Sequence, residues 1–241
     1  MNRRSLLKCL SYFSFGSLFP WNWRKHSIFS DEFERLDSSR WTADKYWGYG
    51  TYDWHMPYNI YVEPVGTLRL RAQYEPDGVQ SPPARPGKIY STAELKSTQG
   101  FRYGNFEIRC RFPSGGRGYW SGFTLVNLPR TFEINIETLG HEPNTLYLTH
   151  HWIVDGFDHY VQEKYIGPDF SADYHTLSVA WTTRKIKWSI DGIERFRSVS
   201  NIPNVPLLVL FQLSIGGKWS GEPDAMTVFP GYFDVDWIRI R

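Results

Sequence analysis

An all-β chain folded as a two-sheet antiparallel sandwich is the architecture this sequence predicts, and three observations predict it. From about residue 28 onward the chain is a succession of short runs of alternating apolar and polar residues, divided by Gly, Pro, Asn and Asp. Almost no segment keeps a helical period for three turns, so an amphipathic helix has nothing to build on. Aromatic residues reach 17%, with 11 Trp and 15 Tyr, and such side chains suit either a pleated, half-buried surface or a sugar-stacking cleft.

The first 27 residues stand apart from this pattern. MNRRSLLKCLSYFSFGSLFPW couples a paired start, Arg3 and Arg4, to an apolar stretch too short and too rich in Ser to span a bilayer. NRRSLLK is similar to the twin-arginine export pattern, a route that carries folded cargo. Residues 1–27 are therefore expected to act as an export signal toward the periplasm or the exterior, without stable membrane insertion. No Ala-x-Ala cleavage site is visible, and a disordered basic tail is the alternative. Residues 28–241 are read as one domain, expected to be monomeric, since no Gly-rich or charged linker and no solenoid repeat interrupts them.

The elements then follow in order. TLRLRAQY, residues 67–74, places Leu68, Leu70 and Ala72 on one face of a strand. EPDGVQSPPARPGK, residues 75–88, is a Pro-rich loop that cannot pair inside a sheet and is long enough to wall a cleft. FEIRCRF aligns Cys110 with Phe106, Ile108 and Phe112, as a small buried apolar residue. Because Cys9 lies in the signal, no intrachain disulfide is expected. HTLSVAWT places Leu177, Val179 and Trp181 on one face, and KIKWSID and IERFRS are joined through Asp191-Gly192, a strong hairpin signal. About a dozen strands result by this reading. Lys plus Arg total 27 against 25 Asp plus Glu, so the chain offers no general attraction to polyanions, and nucleic acid is excluded as a partner.

TFEINIETLG, residues 131–140, is the stretch that points to chemistry. Period 2 turns Phe132, Ile134 and Ile136 to one face and Glu133, Asn135 and Glu137 to the other. Two carboxylates on one face repel, so a purely structural strand gains nothing from them, although an exposed acidic strand is common. Cα atoms four residues apart on a strand are about 13 Å apart. Glutamates have the reach to lean together toward the roughly 5–5.5 Å that a retaining glycosidase needs between nucleophile and acid. Asn135 can donate to one carboxylate and accept from a protonated partner.

EINIETLG resembles the E-x-D-x-E active-site strand of glycoside hydrolase family 16, the laminarinase and lichenase group. SDEFERLDSSRWT, YSTAELKSTQGFRYGNFEIRCRFPSGGRGYWSGF, YHTLSVAWTTRKIKWSIDGIERF, LLVLFQLSIGGKWSGEPD and VFPGYFDVDWIRIR resemble the family's other blocks in the same order. The resemblance implies a concanavalin-like jelly roll with a concave substrate cleft and a retaining, endo-acting hydrolase of β-1,3-1,4- or β-1,3-glucan. It makes Glu133 the nucleophile, Glu137 the acid/base and Asn135 the occupant of the helper aspartate's place. One residue between helper and acid is similar to the regular-strand branch of lichenases and xyloglucan-modifying enzymes, whereas laminarinases carry an extra residue there. Transglycosylation on the same substrates and non-catalytic glycan binding stay open as alternatives, the latter because Asn cannot exchange a proton and Thr124 stands where a second cleft Trp is usual.

The same resemblance implies substrate contacts by Trp120, Gln212 and Trp219. It places one of His150 and His151 near the sugar, favouring His150. Tyr46, Trp47, Trp54 and His55 form an aromatic loop suited to stacking at distant subsites or to packing over the sandwich edge. The chemistry needs no cofactor. A structural calcium ion is implied at Glu32 and Asp236, while scattered His residues and one remaining Cys leave no zinc site.

Overall fold

The computed structural model describes residues 27–48, 50–79 and 89–241. Residues 1–26, with the proposed export signal, and most of the Pro-rich loop lie outside the described residues. The described chain forms seventeen strands and a short 3-10 turn at Pro57–Asn59. More strands are present than alternation reveals, because several near the N-terminus span only two to four residues, too few to show a period.

The first sheet runs β5 (Ile60–Glu63), β6 (Thr67–Tyr74), β17 (Gly231–Ile240), β8 (Gly104–Arg111), β13 (His175–Trp181), β14 (Ile186–Ile190) and β15 (Ile193–Ser198), with β1 (Phe29–Asp31) added to the far end of β17. The second runs β7 (Tyr90–Ser97), β16 (Leu208–Ile215), β9 (Tyr119–Val126), β10 (Phe132–Leu139), β11 (Thr145–Val154) and β12 (Phe157–Ile166). On the outer side of β7 lie β2 (Trp41–Thr42) and β4 (Asp53–His55), and β3 (Tyr46–Trp47) pairs with β4. Among the described residues only the β4–β7 pairing is parallel, and β6 joins β7 at Gln73 and Tyr74, so the two layers are stitched along one edge.

Strand faces follow the alternation of the sequence. Leu68, Leu70, Ala72, Phe106, Ile108, Leu177, Val179 and Trp181 are fully buried from the first sheet, and Phe123, Ile134, Ile136, Leu148 and Phe211 from the second. Burying each large side chain contributes about 1.5–3 kcal/mol. Cys110 is buried among them, and burial pushes its thiol well above the usual cysteine range. At the β14–β15 turn Asp191 and Gly192 have φ of 50° and 79°, the left-handed pair that a two-residue hairpin requires. A polar bond crosses the core at β10: the Trp188 indole N–H donates to the main-chain carbonyl of Asn135 at 3.0 Å, tying β14 to the centre of β10.

Candidate active site

β10 is a regular strand paired on both sides without a bulge, and its register fixes the site. Glu133 lies opposite Val126 and His151, Asn135 opposite Thr124 and Thr149, and Glu137 opposite Gly122 and Tyr147. Directly paired residues share a face, so these side chains leave the sheet on the side away from the core. There they border a cavity of about 510 Å³, whose walls include Trp120, Arg130, Glu133, Asn135, Glu137, His151, Trp152 and Trp219. That volume is in the range of small-ligand sites.

The two glutamates occupy unlike surroundings. Glu137 is buried, and its Oε1 accepts from the Trp120 indole N–H at 3.2 Å. Burial, then the charge of Glu133, push its pKa up to about 8, against smaller downward effects of Trp120, Asn135 and Arg130. Such a carboxyl carries its proton at neutral pH, as a general acid must. Glu133 is partly exposed, and its Oε1 lies 3.2 Å from Arg130 Nη1. The other arm of that guanidinium reaches Glu94 Oε2 on β7 at 3.3 Å. Asn135 donates to Glu137, while its Oδ1 is buried with no hydrogen-bond partner among the described residues.

Trp120 and Trp219 meet edge to face at 5.6 Å, and Tyr147 supports Trp219 in the same geometry at 5.0 Å. Trp219 is 41% exposed, so an aromatic face remains for a sugar ring at the rim. Gln212 sits on the same face of the sheet, in the row that runs from Glu137 through Gly122, and its amide donates to Ser214 Oγ at 2.9 Å. It does not border the cavity itself.

Two expected contacts fall elsewhere. His150 lies opposite Ile134, on the core side of β11, and is fully buried. Its Nδ1 is 3.4 Å from Ser198 Oγ, and burial, then His151, lower its pKa to about 4. The histidine beside the cavity is His151, one residue on, whose Nδ1 pairs with Asp158 at 3.0 Å. Trp54 is buried with Met56 and Val79 rather than presented to the cavity.

The implied calcium ligands meet cations instead. Arg239 Nη2 lies 3.1 Å from Glu32 Oε1, and Arg109 Nη1 lies 3.1 Å from Asp236 Oδ2. Among the described residues no group of three or more His, Cys, Asp or Glu is placed to hold a metal ion. Calcium takes six to eight oxygens, and a guanidinium on each carboxylate already supplies the opposing charge, so these residues do not fit that ion.

Arg130, Glu94, Trp152, Asp158 and Tyr160 are site residues that the sequence reading misses. Alternation in YSTAELKS does place Thr92, Glu94 and Lys96 on one polar face, but not which face or which neighbour. Arg130 comes from the loop between β9 and β10, and the long β11–β12 hairpin carries Trp152, Asp158 and Tyr160, with Trp152 stacked on His159 at an interplanar angle of 14° and Tyr160 exposed.

Comparisons with known proteins agree with this geometry. The family model described as Glycosyl hydrolases family 16 matches residues 32–239. A beta-glucanase of Rhodothermus marinus is 26% identical over 88% of this chain and 84% of its own length. A beta-glucanase of Paenibacillus macerans is 25% identical over 99% and 98%. Among solved structures, the catalytic domain of an endo-1,3-beta-glucanase (laminarinase) from Thermotoga petrophila superposes with a TM-score of 0.79 at 26% identity, covering 89% of this chain and 96% of that one. The endo-beta-1,3-glucanase of Pyrococcus furiosus gives 0.78 at 27%, covering 89% and 93%.

Proposed function

Because the chain belongs to glycosyl hydrolase family 16, we propose that it is a retaining, endo-acting hydrolase of β-linked glucan, either β-1,3-1,4 or β-1,3. The observation that carries this reading is the pairing of a buried, proton-holding Glu137 with a partly exposed Glu133 on one strand face. The similar beta-glucanases and endo-1,3-beta-glucanases support the substrate class.

In the proposed course, Glu133 attacks the anomeric carbon while Glu137 delivers its proton to the departing glycosidic oxygen. The ionised Glu137 then takes a proton from water, whose oxygen displaces Glu133 and releases the sugar with its original anomeric configuration. Trp120 has two parts here, one as the donor that orients Glu137 and one as the neighbour of the rim residue Trp219. Nothing in this course calls on a metal ion or cofactor. Release of the protein to the periplasm or exterior through its twin-arginine-like start belongs to the same proposal. Among the described residues no helix is long and apolar enough to cross a membrane.

A reducing-end assay on mixed-linkage β-glucan, laminarin and other polysaccharides tests activity and linkage together. Glu133→Gln is expected to lose about 10⁴-fold or more in turnover with an unchanged circular dichroism spectrum. Near-normal turnover in that variant sinks the assignment. Tight glucan binding by the wild type without release of reducing ends points instead to a glycan-binding module, and products longer than the substrate point to transglycosylation.

A further inference from the structure

A retaining reaction needs its two carboxyl groups in unlike states, one charged and one carrying the proton, yet both leave the same face of one strand. Burial and the Trp120 indole set Glu137 apart. What sets Glu133 apart is Arg130, three residues earlier in the loop from β9. Nη1 lies 3.2 Å from Glu133 Oε1, and Nη2 lies 3.3 Å from Glu94 Oε2 on β7, with β9 and β16 between the two carboxylates. The guanidinium therefore reaches across the floor of the cleft and holds both of its ends.

The loop that carries it is fixed. Asn127 Oδ1 accepts from the main-chain N–H of Thr131 at 3.1 Å and of Phe132 at 2.8 Å, and its Nδ2 donates to Thr131 Oγ1 at 2.7 Å. At its far end Glu94 is buried and is also bonded by the Tyr46 hydroxyl. An arginine tied at both arms is a preorganised charge rather than a flexible surface cation.

We infer that Arg130 is a positioning residue for the nucleophile, holding the orientation of Glu133 through Oε1 and leaving Oε2 to attack. This rests on the reading of Glu133 as nucleophile. As an Oε2 electron pair bonds to the anomeric carbon, the glycosidic pair leaves with the aglycone oxygen, which takes the proton of Glu137. Glu133 is then a neutral ester, and Arg130 keeps its pairing with Glu94. When water, deprotonated by Glu137, bonds to the anomeric carbon, the ester pair returns to Glu133 and Arg130 receives the restored charge. Arg130 thus supports departure of the carboxylate in the second step as well as its orientation in the first. It takes over orienting work at the nucleophile while Asn135 serves the acid.

The test compares wild type, Arg130→Gln and Arg130→Lys on barley mixed-linkage β-glucan and on laminarin, with kcat and KM measured separately and folding followed by thermal melting. The Gln variant is expected to lose roughly ten- to hundred-fold in kcat with KM unchanged or lower. Lys, a single point of charge that cannot hold both carboxylates, is expected to recover part of the loss. A kcat within two-fold of wild type in the folded Gln variant overturns the inference, as does a rise in KM at unchanged kcat, which marks a sugar contact. Should the Gln variant fail to fold, the Lys variant decides: kcat equal to wild type overturns the inference, and a partial loss at constant KM supports it. If the wild type itself cleaves neither glucan, the functional reading fails, and the inference falls with it.

Discussion

Gly122 of β9 lies directly opposite Glu137 of β10, and the space a side chain would fill there is taken by the glutamate. A Cβ built on Gly122 would stand 2.8 Å from Glu137 Cγ, closer than real Cβ atoms come. Glu137 owes its course across β9 to a missing methyl group on the neighbouring strand. Gly122→Ala is therefore expected to displace Glu137 and lower kcat about a hundred-fold. Stability should fall far less than activity, because the side chain that moves borders the cavity. Parallel rate and melting measurements check this, and equal activity in a folded variant contradicts it.

The raised pKa of Glu137 has a consequence for stability. Its folded value of about 8 lies above the ordinary 4.5, so between those values the folded chain holds a proton that the unfolded chain has released. This contribution is fully present below about pH 4.5 and is lost as pH rises through about 8. Glu137→Gln removes the titration. The variant is expected to be inactive and to gain melting temperature relative to wild type as pH rises from 5 to 8, and a pH-independent difference would refute the burial argument.

The alkaline limb of the rate profile should report the same group. Trp120 lowers the pKa of Glu137 through its hydrogen bond, so Trp120→Phe is expected to move that limb upward while cutting kcat. Asn135→Asp adds a negative charge beside Glu137 in place of a donor, and it should move the limb upward as well. A downward move in either variant would mean that another group controls the limb.

His150 gives a prediction of opposite sign. Its folded pKa of about 4 lies below the ordinary 6.5, so the neutral ring stabilises the fold above about pH 6.5, and that contribution is lost as pH falls toward 4. His150→Leu is expected to flatten the loss of melting temperature over this interval, read against wild type in the same buffers. Because the ring faces the core, kcat at neutral pH should change little once folding is accounted for.

The sequence makes a face legible more readily than a neighbour. Period 2 identifies Glu133, Asn135 and Glu137 as one row and Phe106, Ile108 and Cys110 as another, because strand geometry turns alternate side chains to opposite sides regardless of partner. Which of His150 and His151 joins the acidic row is a matter of pairing, decided only when Glu133 comes opposite His151. Arg130 and Glu94 are likewise invisible as a pair, being contributed by a loop and by a strand with β9 and β16 between. Glu32 and Asp236 carry the right charge for a cation, but Arg109 and Arg239 reach them through strand pairings that no local pattern contains. By composition Trp54 suits either a stacking platform or packing over the sandwich edge, and its ring closes over Met56 and Val79, the more common fate of a large aromatic side chain.

The bond from Trp188 to the Asn135 carbonyl makes β10 self-proofreading. A slip of one position would carry both glutamates into the oily interior, expel Ile134 and Ile136 into water, and leave the indole facing a different peptide group. Each of these errors is costly alone, and they arise together. A misthreaded β10 is therefore disfavoured before it can be populated, so that folding itself selects the arrangement in which both glutamates face the cavity.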